Sequence, residues 1–158
     1  MYQVRQNKNI SKGLVAYYPC NEGCGGIVKD ACKNLDLTIL PSEWTNADRT
    51  MYIHTNGNGC QGTADGTALD ITTNTISFGG WIYPIVSNIY QVICGKIYDQ
   101  SFRQYALYLS ATGTSGLYMA LRGVWDNQSI TTTKLWTVND WNHIVLTYDG
   151  ATINVYVN

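Results

Sequence analysis

The sequence is short of charge. Lys and Arg number 10 against 11 Asp and Glu in 158 residues, a net charge of −1. That balance gives no electrostatic footing for nucleic acid or for an anionic membrane surface. Proline is scarce too, with 3 residues, which argues against a Pro-rich linker. No apolar run approaches the roughly 20 residues of a membrane-spanning helix, and residues 1–12 lack the apolar segment of a secretion signal. Glutamate occurs only at Glu22 and Glu43, and histidine only at His54 and His143. These shortages exclude reactions. Glycosidases on β scaffolds use two carboxylates roughly 5–10 Å apart, and neither glutamate has an acid two to four residues away. A serine nucleophile needs a base and an orienting acid, and the sequence has no G-x-S-x-G elbow. The expectation is a chain that is not an enzyme.

What is present points to strands. Hydrophobic residues make up 45% of the chain, enough to exclude a disordered polymer. Twelve Tyr and five Trp, with many Thr and Ile, suit a pleated surface, and 15 Gly supply tight turns. The five cysteines cannot all pair within one chain, and no close C-x-x-C or C-x-x-H pair offers a zinc site. They read as buried thiols acting as small hydrophobes, with a Cys24–Cys32 bridge as the alternative.

Along the chain, residues 1–12 form a polar arm and 13–158 a single body. Residues 13–18 read as a buried strand ended by Pro19 and the turn at Gly23, Gly25 and Gly26. A short strand follows at 35–40. Residues 41–66 are irregular, with brief pairing at 51–54. Further strands are expected near 68–71, 75–83, 90–97, 104–111, 116–122, 128–133, 141–149 and 151–157. Tyr105, Leu107 and Leu109 alternate with Ala106, Tyr108 and Ser110, the period of a strand with two different faces. Asp149-Gly150 between two apolar runs is a hairpin signal. The pattern predicts an all-β, two-sheet antiparallel sandwich or barrel.

Three segments, taken in order, resemble the laminin-G-like, concanavalin A-like jelly-roll superfamily. Gly13-Leu-Val-Ala-Tyr-Tyr-Pro-Cys-Asn-Glu-Gly23 is similar to its first strand and acidic turn. Gly66-Thr-Ala-Leu-Asp70 with Ile76-Ser-Phe-Gly-Gly-Trp-Ile-Tyr-Pro84 resembles its G-x-A-L … F-T-x-x-x-W-V-x-P stretch. Trp141-Asn-His-Ile-Val-Leu-Thr-Tyr-Asp-Gly150 running into Ile153-Asn-Val-Tyr-Val157 resembles its W-x-H-V-A-x-T-Y-D-G … I-x-L-Y-V-D-G hairpin. The resemblance implies a jelly-roll sandwich that binds glycans or protein surfaces, often with a structural calcium ion. It places Trp81 and Trp141 in the core and gives His143 a structural role. In the family the pattern runs on to a strand beside the first one. A longer chain, a neighbouring subunit or the arm is therefore expected to pair with residues 13–19.

The remaining candidates come from residue chemistry. Trp44, Trp125 and Trp136 each sit beside polar turn residues. Trp125, Asp126, Asn127 and Gln128 read as a loop in which an indole and two amides converge, as sugar sites require. Asn21, Glu22, Asp30 and Asp36 are the oxygen donors available for calcium. The functional expectation is a surface recognition or adhesion domain, with glycan as ligand and neighbouring subunits as further partners. Its setting is a virion, such as a phage head or fibre, or an extracellular surface. The alternatives are a structural assembly protein that binds only other subunits and a glycoside hydrolase, against which the missing carboxylate pair speaks.

Overall fold

A computed structural model describes residues 13–32, 35–39, 43–47, 50–54, 60–62, 69–70, 75–85, 91–97, 103–109, 116–121, 125–130 and 136–158. The chain divides into two compact units, Met1–Leu69 and Asp70–Asn158. The polar arm, 1–12, lies outside the described residues.

The first unit contains β1 (Ile27–Val28), β2 (Leu37–Ile39), β3 (Glu43–Ala47), β4 (Thr50–His54) and β5 (Cys60–Gly62). β1, β2 and β5 form an antiparallel sheet in the order β1-β2-β5, while β3 and β4 make a separate hairpin. Residues 14–20 are not a strand, contrary to expectation, and Leu14, Val15 and Tyr17 are exposed. The reason lies in Asp30. Its Oδ1 accepts the Tyr17 amide at 2.8 Å, while the Tyr17 carbonyl accepts the Ala31 amide at 2.8 Å. A turn and its carboxylate thus occupy the two backbone groups of Tyr17 that a neighbouring strand would have used. β3 and β5 fall within the stretch read as irregular. Glu-Trp-Thr-Asn-Ala has no apolar alternation, so periodicity does not reveal it, yet every residue pairs in register from Glu43↔His54 to Ala47↔Thr50.

The second unit is the sandwich. β7 (Gln91–Ile97), β8 (Arg103–Leu109), β9 (Leu117–Leu121) and β10 (Trp125–Ile130) form one antiparallel sheet in the order β10-β9-β8-β7. β6 (Ile76–Ile82), β11 (Asn142–Tyr148) and β12 (Ile153–Val157) form the other, in the order β12-β11-β6. The expected strands at 75–83, 90–97, 104–111, 116–122, 141–149 and 151–157 all appear within two residues of these bounds. The expected strand near 68–71 does not extend through Leu69 and Asp70, which lie outside any strand. Leu107, Leu109, Leu117, Met119 and Leu121 from the four-stranded sheet share one core with Ile144 and Leu146 from β11. Ile76, Phe78 and Ile82 of β6 and Ile153, Val155 and Val157 of β12 close it. Alternation along each strand therefore supplies the inner faces, as two-sheet packing requires.

Polar groups pin the ends. Asn142 is fully buried, and its side chain accepts the Thr137 amide at 2.8 Å and donates to the carbonyls of Thr137 and Asp140 at 2.9 and 2.8 Å. The β11–β12 turn is closed by Asp149, whose Oδ1 accepts the amides of Ala151 and Thr152 at 2.9 and 2.7 Å. Those bonds hold the Asp149 carboxyl below the ordinary carboxylate range. Its contribution to the hairpin is therefore full above that range and lost as pH falls through the lowered folded-state pKa. Gly150 follows at φ 99°, the left-handed geometry that the Asp-Gly pair predicts.

The thiols only partly match expectation. Cys20, Cys24, Cys32 and Cys94 form no disulfide with one another, and Cys24 and Cys32 are exposed rather than buried. Burial pushes the Cys94 thiol up to about 12, so it is protonated and a poor nucleophile at neutral pH.

Gly79 on β6 admits no side chain. A Cβ there would lie 2.0 Å from the Ile144 carbonyl oxygen and 2.7 Å from the Val145 Cα. Both obstacles are backbone, so relief requires the β6–β11 ladder to move. Gly79→Ala is expected to destabilise the sandwich by about 2–4 kcal/mol, in the range of overpacking and strain. Gly80→Ala, with open space around it, serves as the control in thermal melts. Equal melting temperatures for the two variants would refute the assignment.

Candidate functional site

The outer face of the β12-β11-β6 sheet combines aromatic rings with a complete lack of charge. Ile76, Phe78 and Ile82 turn inward, so Ser77, Gly79 and Trp81 turn outward on β6. The same alternation turns His143, Val145 and Thr147 outward on β11, and Asn154 and Tyr156 on β12. None of these eight residues is Asp, Glu, Lys or Arg. A solvated sheet face ordinarily carries a polar, often charged, set.

Register sorts the face into rows. Trp81 pairs with His143. Gly79 pairs with Val145, which pairs with Tyr156. Ser77 pairs with Thr147, which pairs with Asn154. Directly paired residues share a face, so an aromatic band lies beside a row of two hydroxyls and an amide. The Trp81 indole is 65% exposed and Tyr156 is 58% exposed. His143 packs on the indole, with ring centroids 4.8 Å apart and planes tilted by 36°. Beyond β6, Tyr83 is 43% exposed and meets Trp141 edge-on at 5.5 Å. Ring-to-ring contacts of this kind hold aromatic side chains in place at the surface.

This arrangement corrects the expected tryptophan roles. Trp81 lies on the outside, and Trp141 is half-buried outside the core cluster. Parity along β6 carries the signal: an odd-numbered Trp81 cannot share a face with Phe78 and Ile82. Trp136, expected at a polar turn, is instead 2% exposed within the core, and its indole N–H donates to the Gly116 carbonyl at 3.1 Å. The half-buried Trp44 donates its indole N–H to the Gly25 carbonyl at 3.1 Å.

Trp125, Asp126, Asn127 and Gln128 do not form a loop. They open β10, the outermost strand of the four-stranded sheet, and the register shifts between Trp125↔Leu121 and Gln128↔Met119. The polar composition that reads as a loop belongs to a β-bulge on an edge strand, where such irregularities concentrate. Their side chains lie outside the described residues.

Three of the four calcium candidates, Glu22, Asp30 and Asp36, accept backbone amides. Asp30, 6% exposed, accepts the amides of Tyr17 and Cys32 on Oδ1 at 2.8 and 2.9 Å, and that of Leu35 on Oδ2 at 3.2 Å. Asp36 accepts the Asp30 amide at 3.1 Å and pairs with the Lys29 ammonium at 2.5 Å. That hydrogen bond from Lys29 and the one from the Asp30 amide hold the Asp36 carboxyl below its usual range. Glu22 Oε1 accepts the Lys29 amide at 2.8 Å, its Oε2 is buried without a donor among the described residues, and Asn21 is exposed. Among the described residues, no three His, Cys, Asp or Glu gather as metal ligands. In the second unit, Asp70 takes the Lys96 ammonium and the Gln104 amide. No helix among the described residues is long and apolar enough to cross a membrane.

Neither a curated protein nor a solved structure matches the chain. A family model described as the concanavalin A-like lectin/glucanases superfamily matches residues 47–158.

Proposed function

The chain belongs to the concanavalin A-like lectin/glucanases superfamily, and from that premise we propose that it is a non-catalytic domain that recognises glycans on an exposed surface, extracellular or virion-borne. The observation that carries this reading is the uncharged aromatic face of β6, β11 and β12. Sugars present flat C–H faces and rims of hydroxyls. They are met by exposed rings for stacking and by neutral hydrogen-bonding side chains. Trp81 offers the ring, and Ser77, Thr147 and Asn154 offer hydroxyls and an amide in the same sheet.

The reading as a binder rather than a glucanase draws on the carboxylates whose side chains are among the described residues. Asp30, Asp140 and Asp149 accept backbone amides, Asp36 and Asp70 are in ion pairs, and Glu22 accepts the Lys29 amide. A pair of carboxylates free to act as acid and base is what glycoside hydrolysis requires.

A glycan array followed by titration of its best hits tests the proposal. Trp81→Ala is expected to weaken binding by about tenfold or more, equivalent to about 1.4 kcal/mol. Because the indole is already 65% exposed, the same change should leave stability within about 0.5 kcal/mol. An array without hits would overturn the reading in favour of an assembly subunit, and a Trp81→Ala variant that binds glycan unchanged would overturn the assignment of the site to this face.

A further inference from the structure

We infer that the ligand of this face is an extended, uncharged polysaccharide segment that bridges Trp81 and Tyr156, rather than a single terminal sugar or a protein. The inference rests on the glycan reading above and specifies its ligand class.

The first argument is the placement of the two rings. Trp81 lies on β6 and Tyr156 on β12, separated by β11 and by one outward step along the strands. That offset puts their backbones on the order of 12 Å apart, from the strand spacing and rise. One pyranose cannot stack on both rings, whereas consecutive sugars of an extended chain can. The second argument is the floor between them. Gly79 and Val145 complete the row of Tyr156, one outward step from the row of Trp81 and His143, and Gly79 cannot acquire a side chain because a Cβ would strike the Ile144 carbonyl oxygen at 2.0 Å. The backbone geometry therefore keeps the floor low in the row of Tyr156, next to Trp81 on β6. Ser77, Thr147 and Asn154 run along one side, where hydroxyls of a chain lying over the floor come within reach.

The third argument is size. Strands of seven, seven and five residues, about 4.8 Å apart and rising about 3.4 Å per residue, give a face of roughly 300 Å². A specific protein interface takes about 800 Å² from each partner. The face is too small for a stable dimer but ample for a few sugar units. The fourth is charge. With no Asp, Glu, Lys or Arg among its eight residues, the face offers an anionic polysaccharide no lysine or arginine counter-charge.

The test is isothermal titration of the full chain with cellohexaose, chitohexaose and mannohexaose, each against its own monosaccharide, with carboxymethylcellulose as the anionic probe. At least one hexaose is expected to bind about tenfold or more tighter than its monosaccharide, a step of about 1.4 kcal/mol. Trp81→Ala and Tyr156→Ala are each expected to abolish that chain-length gain. Both side chains are largely exposed, so both variants should melt with the parent, and the loss is then a loss of contact. Carboxymethylcellulose should bind no tighter than the monosaccharides. Monosaccharide binding that needs Trp81 but shows no gain with length would overturn this inference and leave the glycan reading standing. So would a gain that survives Tyr156→Ala, or preferential binding of the anionic probe. Absence of glycan binding altogether overturns both. Sedimentation as a dimer that Tyr156→Ala dissolves would assign the face to a second copy and overturn the inference directly.

Discussion

Trp136→Ala is expected to cost about 3–5 kcal/mol, the usual range for emptying a large aromatic site in a packed core. Trp136 belongs to no strand, yet it is buried with Leu107, Leu117, Met119, Ile144 and Leu146 between the two sheets. Two losses combine in the variant. The ring leaves a cavity that rigid sheets on either side cannot collapse to fill. The buried carbonyl of Gly116 also loses the indole N–H that satisfies it at 3.1 Å, and an unmet buried polar group costs about 1–3 kcal/mol. Urea unfolding monitored by circular dichroism should show a lower midpoint with an unchanged slope. Trp136→Phe should recover part of the loss, because it refills volume without restoring the donor. If Trp136→Ala melts with the parent while Trp81→Ala does not, the inside and outside of the sandwich have been assigned the wrong way round.

Asp30→Ala is the second large effect expected, at about 3–5 kcal/mol against the first unit. The carboxylate accepts the backbone amides of Tyr17, Cys32 and Leu35, and each amide left without an acceptor in a buried setting costs about 1–3 kcal/mol. Partial access to water keeps the total below the simple sum. Asp30→Asn keeps one acceptor oxygen and is expected to fall between the parent and Asp30→Ala. Amide hydrogen exchange reads the effect residue by residue. Protection at Tyr17, Cys32 and Leu35 should collapse first, while the β11 amides of the second unit keep theirs. An Asp30→Ala variant no less stable than Asp140→Ala, which removes an exposed carboxylate that accepts the neighbouring Trp141 amide, would sink the assignment.

The strands of the second unit were legible because each has a buried face and a solvated one. Where the Leu107 and Leu109 side of β8 meets the Ile144 and Leu146 side of β11, both alternations are written in the residues. The β11–β12 hairpin was legible for a different reason. Asp149-Gly150 specifies its turn locally, through a side-chain acceptor and a positive φ. Residues 13–18 have the apolar composition of a strand without the partner that makes one. A strand needs a neighbouring backbone, and Tyr17 found the turn at Asp30 and Ala31 instead. The site residues fared worse. Trp125 to Gln128 carry loop composition but lie on a bulged edge strand, and Asn21, Glu22, Asp30 and Asp36 are acids and amides of the kind that cap backbone as readily as they bind cations.

The sequence by itself determined the all-β class, most of the sandwich strands, the β11–β12 turn and, through parity, which side of each strand is apolar. These follow from interactions between residues near in the chain, or from a period repeated along it. That Trp136 is buried was decided only by the tertiary structure, whereas parity with Phe78 and Ile82 already turns Trp81 to the other side of β6. Trp81 and Trp136 are the same residue type, and both have apolar neighbours in sequence. One faces solvent because β6 turns its odd-numbered residues away from the second sheet. The other is enclosed because a segment outside any strand delivers it to a carbonyl 20 residues away. Likewise, the uncharged face exists only once β6, β11 and β12 lie side by side, since Trp81 and Tyr156 are separated by 75 positions in the chain and meet only through the register with β11. Burial and surface composition are properties of elements that have been paired, and pairing between distant segments leaves no local mark on either one.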